Sequence, residues 1–215
     1  MAQSAVDMSR SAEAPSPLAR WFEALHDMRG SVRKLNAEEP PEGRLVFFVL
    51  LSSMITFLSW TMKGVIVPSA DAGQILPIAL TLYLLATLIL RTAGLYLSAS
   101  VIGWVCRWFG GQGSARQTRM AMFWGALVAA PIGLAFAILN VALVQFATGV
   151  PQIALSTLNA LAYLAGSLAF FWYVGAALAE AHQFRSTALV VTLFLLASIA
   201  VGGVGLYLSG AGGLL

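Results

Sequence analysis

The sequence is short of charge, and the shortage is concentrated in one part of the chain. Residues 74–215 contain only six charged side chains, five arginines and one glutamate. Charged residues make up 10% of the whole chain, whereas soluble proteins average about 25%. So few charged side chains cannot cover the surface of a water-soluble domain. We therefore expect most of this chain to face lipid.

Cysteine and acid–base pairs are scarce as well. The single cysteine, Cys106, excludes an intrachain disulfide and a cysteine metal cluster. The long apolar runs contain no His, Asp or Glu, which excludes the base that an intramembrane hydrolase needs. Glu180 and His182 form an incomplete metal site, and together with Arg185 they predict a solvated loop instead. We predict no catalytic residue, no metal and no cofactor.

The chain instead has five long apolar runs. They cover residues 45–62, 75–106, 120–148, 153–179 and 187–208. A hydrocarbon core of about 30 Å is crossed by about 20 helical residues. The runs are continuously apolar, whereas barrel strands alternate polar and apolar residues. The predicted fold is therefore all-α, a polytopic membrane bundle of five transmembrane helices.

The run over 75–106 raises the question of one span or two, because Arg91 lies near its middle. Lys and Arg favour the cytoplasmic ends of spans. With five spans and a cytoplasmic N-terminus, ten basic residues fall inside and only Lys63 outside. A break at Arg91 destroys this asymmetry. We predict one long helix, in a multi-pass protein of the bacterial inner membrane whose C-terminus is periplasmic.

Residues 1–43 are predicted to form a cytoplasmic segment before a membrane domain over 44–215. Residues 1–15 lack the apolar core of a signal peptide and are expected to be disordered. Residues 16–36 have the spacing of an amphipathic helix, with Trp21, Phe22 and Leu25 on its apolar face. A proline-containing linker follows at 37–43. The helix either lies on the lipid surface or packs on the bundle or a partner protein.

A glycine-rich stretch joins the second and third runs. Residues 107–118 read Arg-Trp-Phe-Gly-Gly-Gln-Gly-Ser-Ala-Arg-Gln-Thr, and the third run contains Ala130-Pro131. With the order of the spans, these motifs resemble the bacterial branch of the YIP family, named for proteins that interact with Ypt/Rab GTPases. The resemblance covers about residues 44–208 and implies a cytoplasmic N-terminal segment and five spans. Eukaryotic members are implicated in vesicle trafficking and membrane shaping. For this chain, the resemblance implies an architecture more firmly than an activity.

The glycine loop has two interpretations. It is not a Walker motif, because Ala115 follows Gly113-Ser114 where that motif needs Lys. One interpretation is a tight cytoplasmic turn between helices. The other is an anionic lipid headgroup at the start of the third helix, and its candidate contacts are Arg107, Ser114, Arg116 and Arg119.

Arg91 is the most unusual single residue, because an arginine deep in a span is costly. A pair with Glu180 is rejected, since Glu180 lies at the cytoplasmic end of its span. Arg91 is either structural or snorkelling, or a candidate contact for a lipid or another anion. The neutral partners expected at its depth are Asn140, Asn159, Tyr163 and backbone carbonyls.

Two functions fit these observations. The first is a non-enzymatic scaffold, adaptor or membrane-organising protein that engages lipid or a protein partner from the cytoplasmic side. Its partners are membrane lipids and a protein or a second copy of the chain, with no nucleic acid. The alternative is a small transporter or channel, with Arg91 and a kink at Pro131 in a polar path.

Overall fold

The computed structural model of the chain describes residues 16–66, 76–146, 151–196 and 198–199. The segments predicted as disordered (1–15) and as the end of the fifth span lie outside these ranges. Seven helices are assigned within them: α1 Pro17–His26, α2 Met28–Glu38, α3 Glu42–Ile66, α4 Leu76–Trp108, α5 Ala115–Phe146, α6 Gln152–Ala181 and α7 Thr187–Leu196. The described residues contain no strand, so the all-α prediction is confirmed.

The prediction of one helix over 16–36 needs correction, because the chain bends at Asp27. Asp27 has non-helical backbone angles and ends α1, while its side chain accepts a hydrogen bond from the Gly30 amide at 2.8 Å and so caps α2. Ser16 caps α1 in the same manner, with the Ala19 amide 3.2 Å from its hydroxyl oxygen. The predicted linker also shortens to residues 39–41, because α2 continues to Glu38 and α3 begins at Glu42.

Within the described ranges, four helices are long and apolar enough to cross a bilayer. These segments are Glu42–Met62, Ala79–Trp108, Ala115–Phe146 and Ile153–Ala181. The long second run is a single helix of 33 residues, as predicted. The fifth predicted span begins as the apolar helix α7, and most of its later residues lie outside the described ranges.

Helix α5 is the centre of the bundle. It contacts α3, α4 and α6, and also the short helices α1 and α2. Glycine allows the closest of these approaches: a Cβ on Gly125 would lie 2.9 Å from the Cα of Val174 on α6. Such close backbone contact is how small residues bring membrane helices together.

Helices α1 and α2 form a hairpin that we call the cap. It lies over one end of the bundle, the capped end. Their buried residues, Ala24, Met28, Val32 and Leu35, belong to the same core as Phe123 and Val128 of α5 and Leu178 of α6. Of the two locations expected for this segment, the structure therefore has it packed on the bundle.

Candidate functional site

Two arginines of α2 hold the cap on the bundle through one carboxylate. Glu180, at the end of α6, accepts hydrogen bonds from the Nε atoms of Arg29 at 2.9 Å and Arg33 at 2.8 Å. Arg29 also donates to the carbonyl of Phe184 at 2.9 Å, so it fixes the turn after α6. The predicted solvated loop at Glu180 is therefore wrong, because the cap covers this carboxylate.

Side-chain hydrogen bonds from the bundle reach the cap as well. The indole of Trp124 on α5 donates to the hydroxyl of Ser31 at 3.1 Å. The hydroxyl of Tyr173 on α6 donates to the carbonyl of Leu25 at 3.2 Å. Each bond gives a buried or half-buried polar group a partner, and together they orient the hairpin.

The predicted interface residues divide between the bundle and the outside. Trp21 and Leu25 are half-buried against the core, whereas Phe22 is 56% exposed and Leu18 is 70% exposed. The cap thus exposes apolar side chains that are not buried against the bundle.

Trp21 also connects the cap to the proline of α5. Its indole donates to the carbonyl of Val128 at 3.1 Å. Pro131 has no N–H to offer the carbonyl of Leu127, four residues before it. Helix α5 nevertheless continues through Pro131. Trp21 donates to the carbonyl of Val128, next to that of Leu127.

A lateral groove of about 1080 Å³ lies between the cap, α3 and α5. Apolar side chains line it, among them Leu35, Phe48, Leu51, Ile55, Trp124, Leu127 and Pro131. Arg20, Lys34 and Arg44 lie at its charged end, with Glu23 and Glu38. Because it has three basic and two acidic side chains, this end is net positive.

The charged end of the groove is itself ordered by ion pairs. Glu38 accepts from Arg20 at 2.6 Å and from Arg44 at 2.9 Å, and Lys34 pairs with Glu23. Burial raises the pKa of Glu38, but the hydrogen bonds and charges of the two arginines outweigh it and leave the pKa below its usual value.

The predicted basic contacts of the loop meet the linker. Arg116 donates to the carbonyls of Glu39 at 3.1 Å and Pro40 at 2.8 Å. Arg119 donates to the carboxylate of Glu42 at 3.4 Å. Arg107 is exposed at the end of α4, where the described residues give it no ion pair. Two of the three arginines are thus joined to the chain between the cap and α3.

Ser114 forms a capping box at the start of α5. Its hydroxyl accepts from the Gln117 amide at 3.2 Å, and the Gln117 side chain accepts from the Ser114 amide at 2.8 Å. The helix start therefore satisfies part of its own hydrogen-bonding need.

The glycines of the loop enclose His182, a contact that sequence reasoning missed. His182 is 1% exposed, and its Nε2 lies 2.9 Å from the hydroxyl oxygen of Thr118. A Cβ on Gly111 or Gly113 would lie 2.8 Å from its Nδ1. Burial, with a smaller contribution from the charge of Arg107, lowers the pKa of His182 below its usual value.

Thr118 and His182 do not form a usable nucleophile and base. Both side chains are fully buried, and the hydroxyl of Thr118 also contacts the carbonyl of Ser114 at 2.9 Å. No group of three potential metal ligands occurs among the described residues.

Arg91 has partners that the sequence analysis did not name. Its Nη1 donates to the hydroxyls of Ser52 and Ser53 on α3, each at 3.0 Å. Both serines are completely buried. Glu180 is engaged elsewhere, which agrees with the rejection of an Arg91–Glu180 pair. The side chain of Asn159 lies outside the described set.

Arg91 and Pro131 belong to different cavities. Arg91 lines a cavity of about 370 Å³ between α3, α4, α5 and α6, whereas Pro131 lines the lateral groove. The two residues that the transporter hypothesis places on one path are therefore on separate surfaces of the bundle.

Signals for some of these contacts were present in the sequence. Arg29 and Arg33 are four residues apart, hence on one helix face. Glu180 is the only carboxylate after Asp71, so a basic partner was to be expected. Ser52 and Ser53 had no such signal, because uncharged hydroxyls are common in membrane helices.

Comparison with known proteins supports the family suggested by the loop and the spans. No curated protein and no solved structure gave a match. A family model described as the Yip1 domain matches residues 25–209, which includes the second cap helix, the glycine loop and all the long helices. The chain therefore belongs to the Yip1 domain family of membrane proteins.

Proposed function

We propose that this protein is a non-enzymatic membrane-organising scaffold that holds an anionic phospholipid beneath its helical cap. The lateral groove is the observation on which the proposal rests. It combines a net positive end with an apolar floor, and it opens beside a helix that crosses the membrane. These are the two properties that a charged headgroup with apolar chains requires.

The length of the groove supports a lipid occupant. Arg44 and Ile55 both line it and are eleven residues apart on α3. This separation is about 16 Å along a helix, close to half of a hydrocarbon core of about 30 Å. The groove thus has the reach of a single leaflet, with its basic residues at headgroup level.

We infer that the capped end faces the cytoplasm of a bacterial inner membrane. Ten of the twelve basic residues are on that side in the predicted topology. Phe22 and Leu18, exposed on the cap, would then contact the headgroup region of the inner leaflet or a protein partner recruited there.

The groove can be tested with two tryptophan substitutions one residue apart. Leu51→Trp fills the groove, whereas Leu50→Trp alters a 38% exposed neighbour that does not line it. Each protein is extracted directly into polymer nanodiscs, and the bound lipids are compared with bulk membrane lipids. We expect enrichment of anionic phospholipid in the wild type and in Leu50→Trp, and at least a threefold loss in Leu51→Trp.

Three results would contradict the lipid proposal. Bound lipid of bulk composition in the wild type would remove its basis. Equal enrichment in both variants would move the lipid outside the groove. Loss of a co-purifying protein in Leu51→Trp, with unchanged lipid, would make the groove a protein-docking surface.

A small transporter or channel is the second candidate, and the polar cavity at Arg91 favours it. Arg91, Thr56, Ser59, Tyr163 and Ser167 all contribute to its wall. Anion flux into liposomes that disappears in Arg91→Gln would favour transport over a scaffold. Flux no greater than in empty liposomes would count against it.

A further inference from the structure

The cavity at Arg91 has features that packing alone does not require. We propose that it binds an anionic amphiphile, with its carboxylate or phosphate on Arg91 and its apolar chain among α3, α5 and α6. This site is separate from the groove beneath the cap, so the proposal goes beyond the function proposed above.

The first observation is an arginine whose partners among the described residues are all neutral. A guanidinium has five N–H donors, and the described residues provide Arg91 with two serine hydroxyls, both on Nη1. The hydroxyl of Ser52 in turn donates to the carbonyl of Val49 at 2.9 Å, so its oxygen is oriented to accept from Arg91. No carboxylate of the described residues lies within ion-pair distance of Arg91.

The second observation is the depth of this charge. Arg91 is seventeen residues before Trp108, the last residue of α4, and this is about 25 Å along the helix. Charges at such depth are stabilised by a counter-charge or by water. The two serine hydroxyls orient the guanidinium, but no described residue balances its positive charge. A bound anion would balance it.

The third observation is space next to the charge. The cavity of about 370 Å³ is at the lower end of the range for small-ligand sites. Small residues of α5 and α6 leave it open: a Cβ added to Gly133 would meet nothing within 4 Å. Phe136, Phe170 and Trp60 provide an apolar wall. The polar and apolar parts together match an acidic headgroup carrying a hydrocarbon chain.

Trp60 lines the cavity and provides an optical probe of it. The full-length protein is placed in phosphatidylcholine nanodiscs and titrated with dibromostearate or with brominated phosphatidic acid, whose bromine atoms quench nearby tryptophan. Brominated phosphatidylcholine gives the background, and Trp60→Phe identifies the signal of this residue. The two acidic probes distinguish a carboxylate source from a phosphate source.

Two variants locate the bound anion. Arg91→Gln removes the charge, and we expect at least a tenfold weaker binding of the acidic probe, since charge-assisted hydrogen bonds are the strong ones. Gly133→Ile keeps Arg91 but fills the cavity, so it should weaken binding to the same extent. If Arg91→Gln fails to fold, Gly133→Ile decides the question by itself.

The expected result is saturable quenching of Trp60 by one or both acidic probes, lost in the variants. Quenching no stronger than with brominated phosphatidylcholine would overturn the proposal. Saturable quenching that persists in Gly133→Ile would overturn it as well, because the anion would then bind elsewhere.

Discussion

The two halves of α5 are both largely apolar but have opposite surroundings. Between Thr118 and Ala130 nearly every residue is buried, whereas only Ala137, Asn140 and Val141 are buried from Pro131 onward. Helix α6 shows the same change, with its buried residues concentrated from Val174 to the C-terminal end. Hydropathy therefore identifies both halves as membrane-compatible but does not reveal which half the protein itself covers.

The cap contributes to this difference. At the capped end, charged and polar side chains of α1 and α2 bind the bundle, as the pairs of Arg29 and Arg33 with Glu180 show. In the far half, fewer residues of α5 are buried, and its first residues line the Arg91 cavity. The capped half is thus held by its own packing, and the far half has surfaces left for lipid or ligand.

The largest effect is expected from adding one methyl group to the glycine loop. In Gly113→Ala the new Cβ would lie 2.6 Å from the carbonyl oxygen of Ala181 and 2.8 Å from Nδ1 of His182. Such overpacking should lower the free energy of unfolding by about 3 kcal/mol. Titration with dodecyl sulfate in mixed micelles would measure this change.

Gly94→Ala is the matched control for that substitution. Gly94 is a helical residue of α4 whose Cβ would meet nothing within 4 Å. Its replacement should leave stability unchanged or raise it by up to about 1 kcal/mol, the intrinsic helix preference of alanine. Equal losses in the two variants would show that the glycine loop is not tightly packed.

Removal of the carboxylate at the end of α6 should release the cap. Glu180→Ala leaves Arg29 and Arg33 without their shared acceptor, and we expect a loss of about 2 kcal/mol, since hydrogen bonds to charged groups contribute about 1.5–3 kcal/mol. Hydrogen exchange of residues 17–38 should accelerate more than that of α5.

Glu23→Ala is the control for the cap, because Glu23 pairs with the mostly exposed Lys34. An exposed pair contributes at most about 1 kcal/mol, so exchange within the cap should change little. Fast exchange in the wild type itself would contradict a docked cap.

A smaller effect is expected from acid. Burial lowers the pKa of His182 in the folded protein below its usual value of 6.5, so the unfolded chain binds the proton more readily. The contribution of His182 to stability is therefore complete above pH 6.5 and falls as the pH falls through the lower, folded value. Arg107 adds to the same shift by charge repulsion.

His182→Gln tests the origin of that pH dependence. The variant should be less stable at pH 7.5, but its free energy of unfolding should change less than that of the wild type between pH 7 and 5. An identical acid dependence in both proteins would assign the effect to other groups.

Sequence reasoning was effective for features with a local cause. The long apolar runs gave the helices that cross the membrane, and the charge balance of the loops indicated that Arg91 lies within one continuous helix. The amphipathic spacing from residue 16 onward marked the start of α1. Each of these features is determined by the bilayer or by residues close by in the chain, so a local pattern is enough to predict it.

Features with a distant cause could not be predicted. Positions 111 and 113 need glycine because a side chain there would clash with His182, about seventy residues later in the chain. The partners of Arg91 are hydroxyls of another helix, and their depth relative to Arg91 depends on how α3 and α4 pack. The division of α5 into a covered and an open half depends in part on the cap. The residues of α5 do not encode where the cap lies.

Two alanine substitutions in α5 test the central claim most directly. Gly125 is in the covered half, where a Cβ would lie 2.9 Å from the Cα of Val174, and Gly133 is in the open half, where a Cβ would meet nothing within 4 Å. We predict that Gly125→Ala lowers the free energy of unfolding by about 2 kcal/mol, while Gly133→Ala leaves it unchanged or raises it by up to about 1 kcal/mol. Equal changes at both positions would contradict the division of the bundle into a covered and an open half.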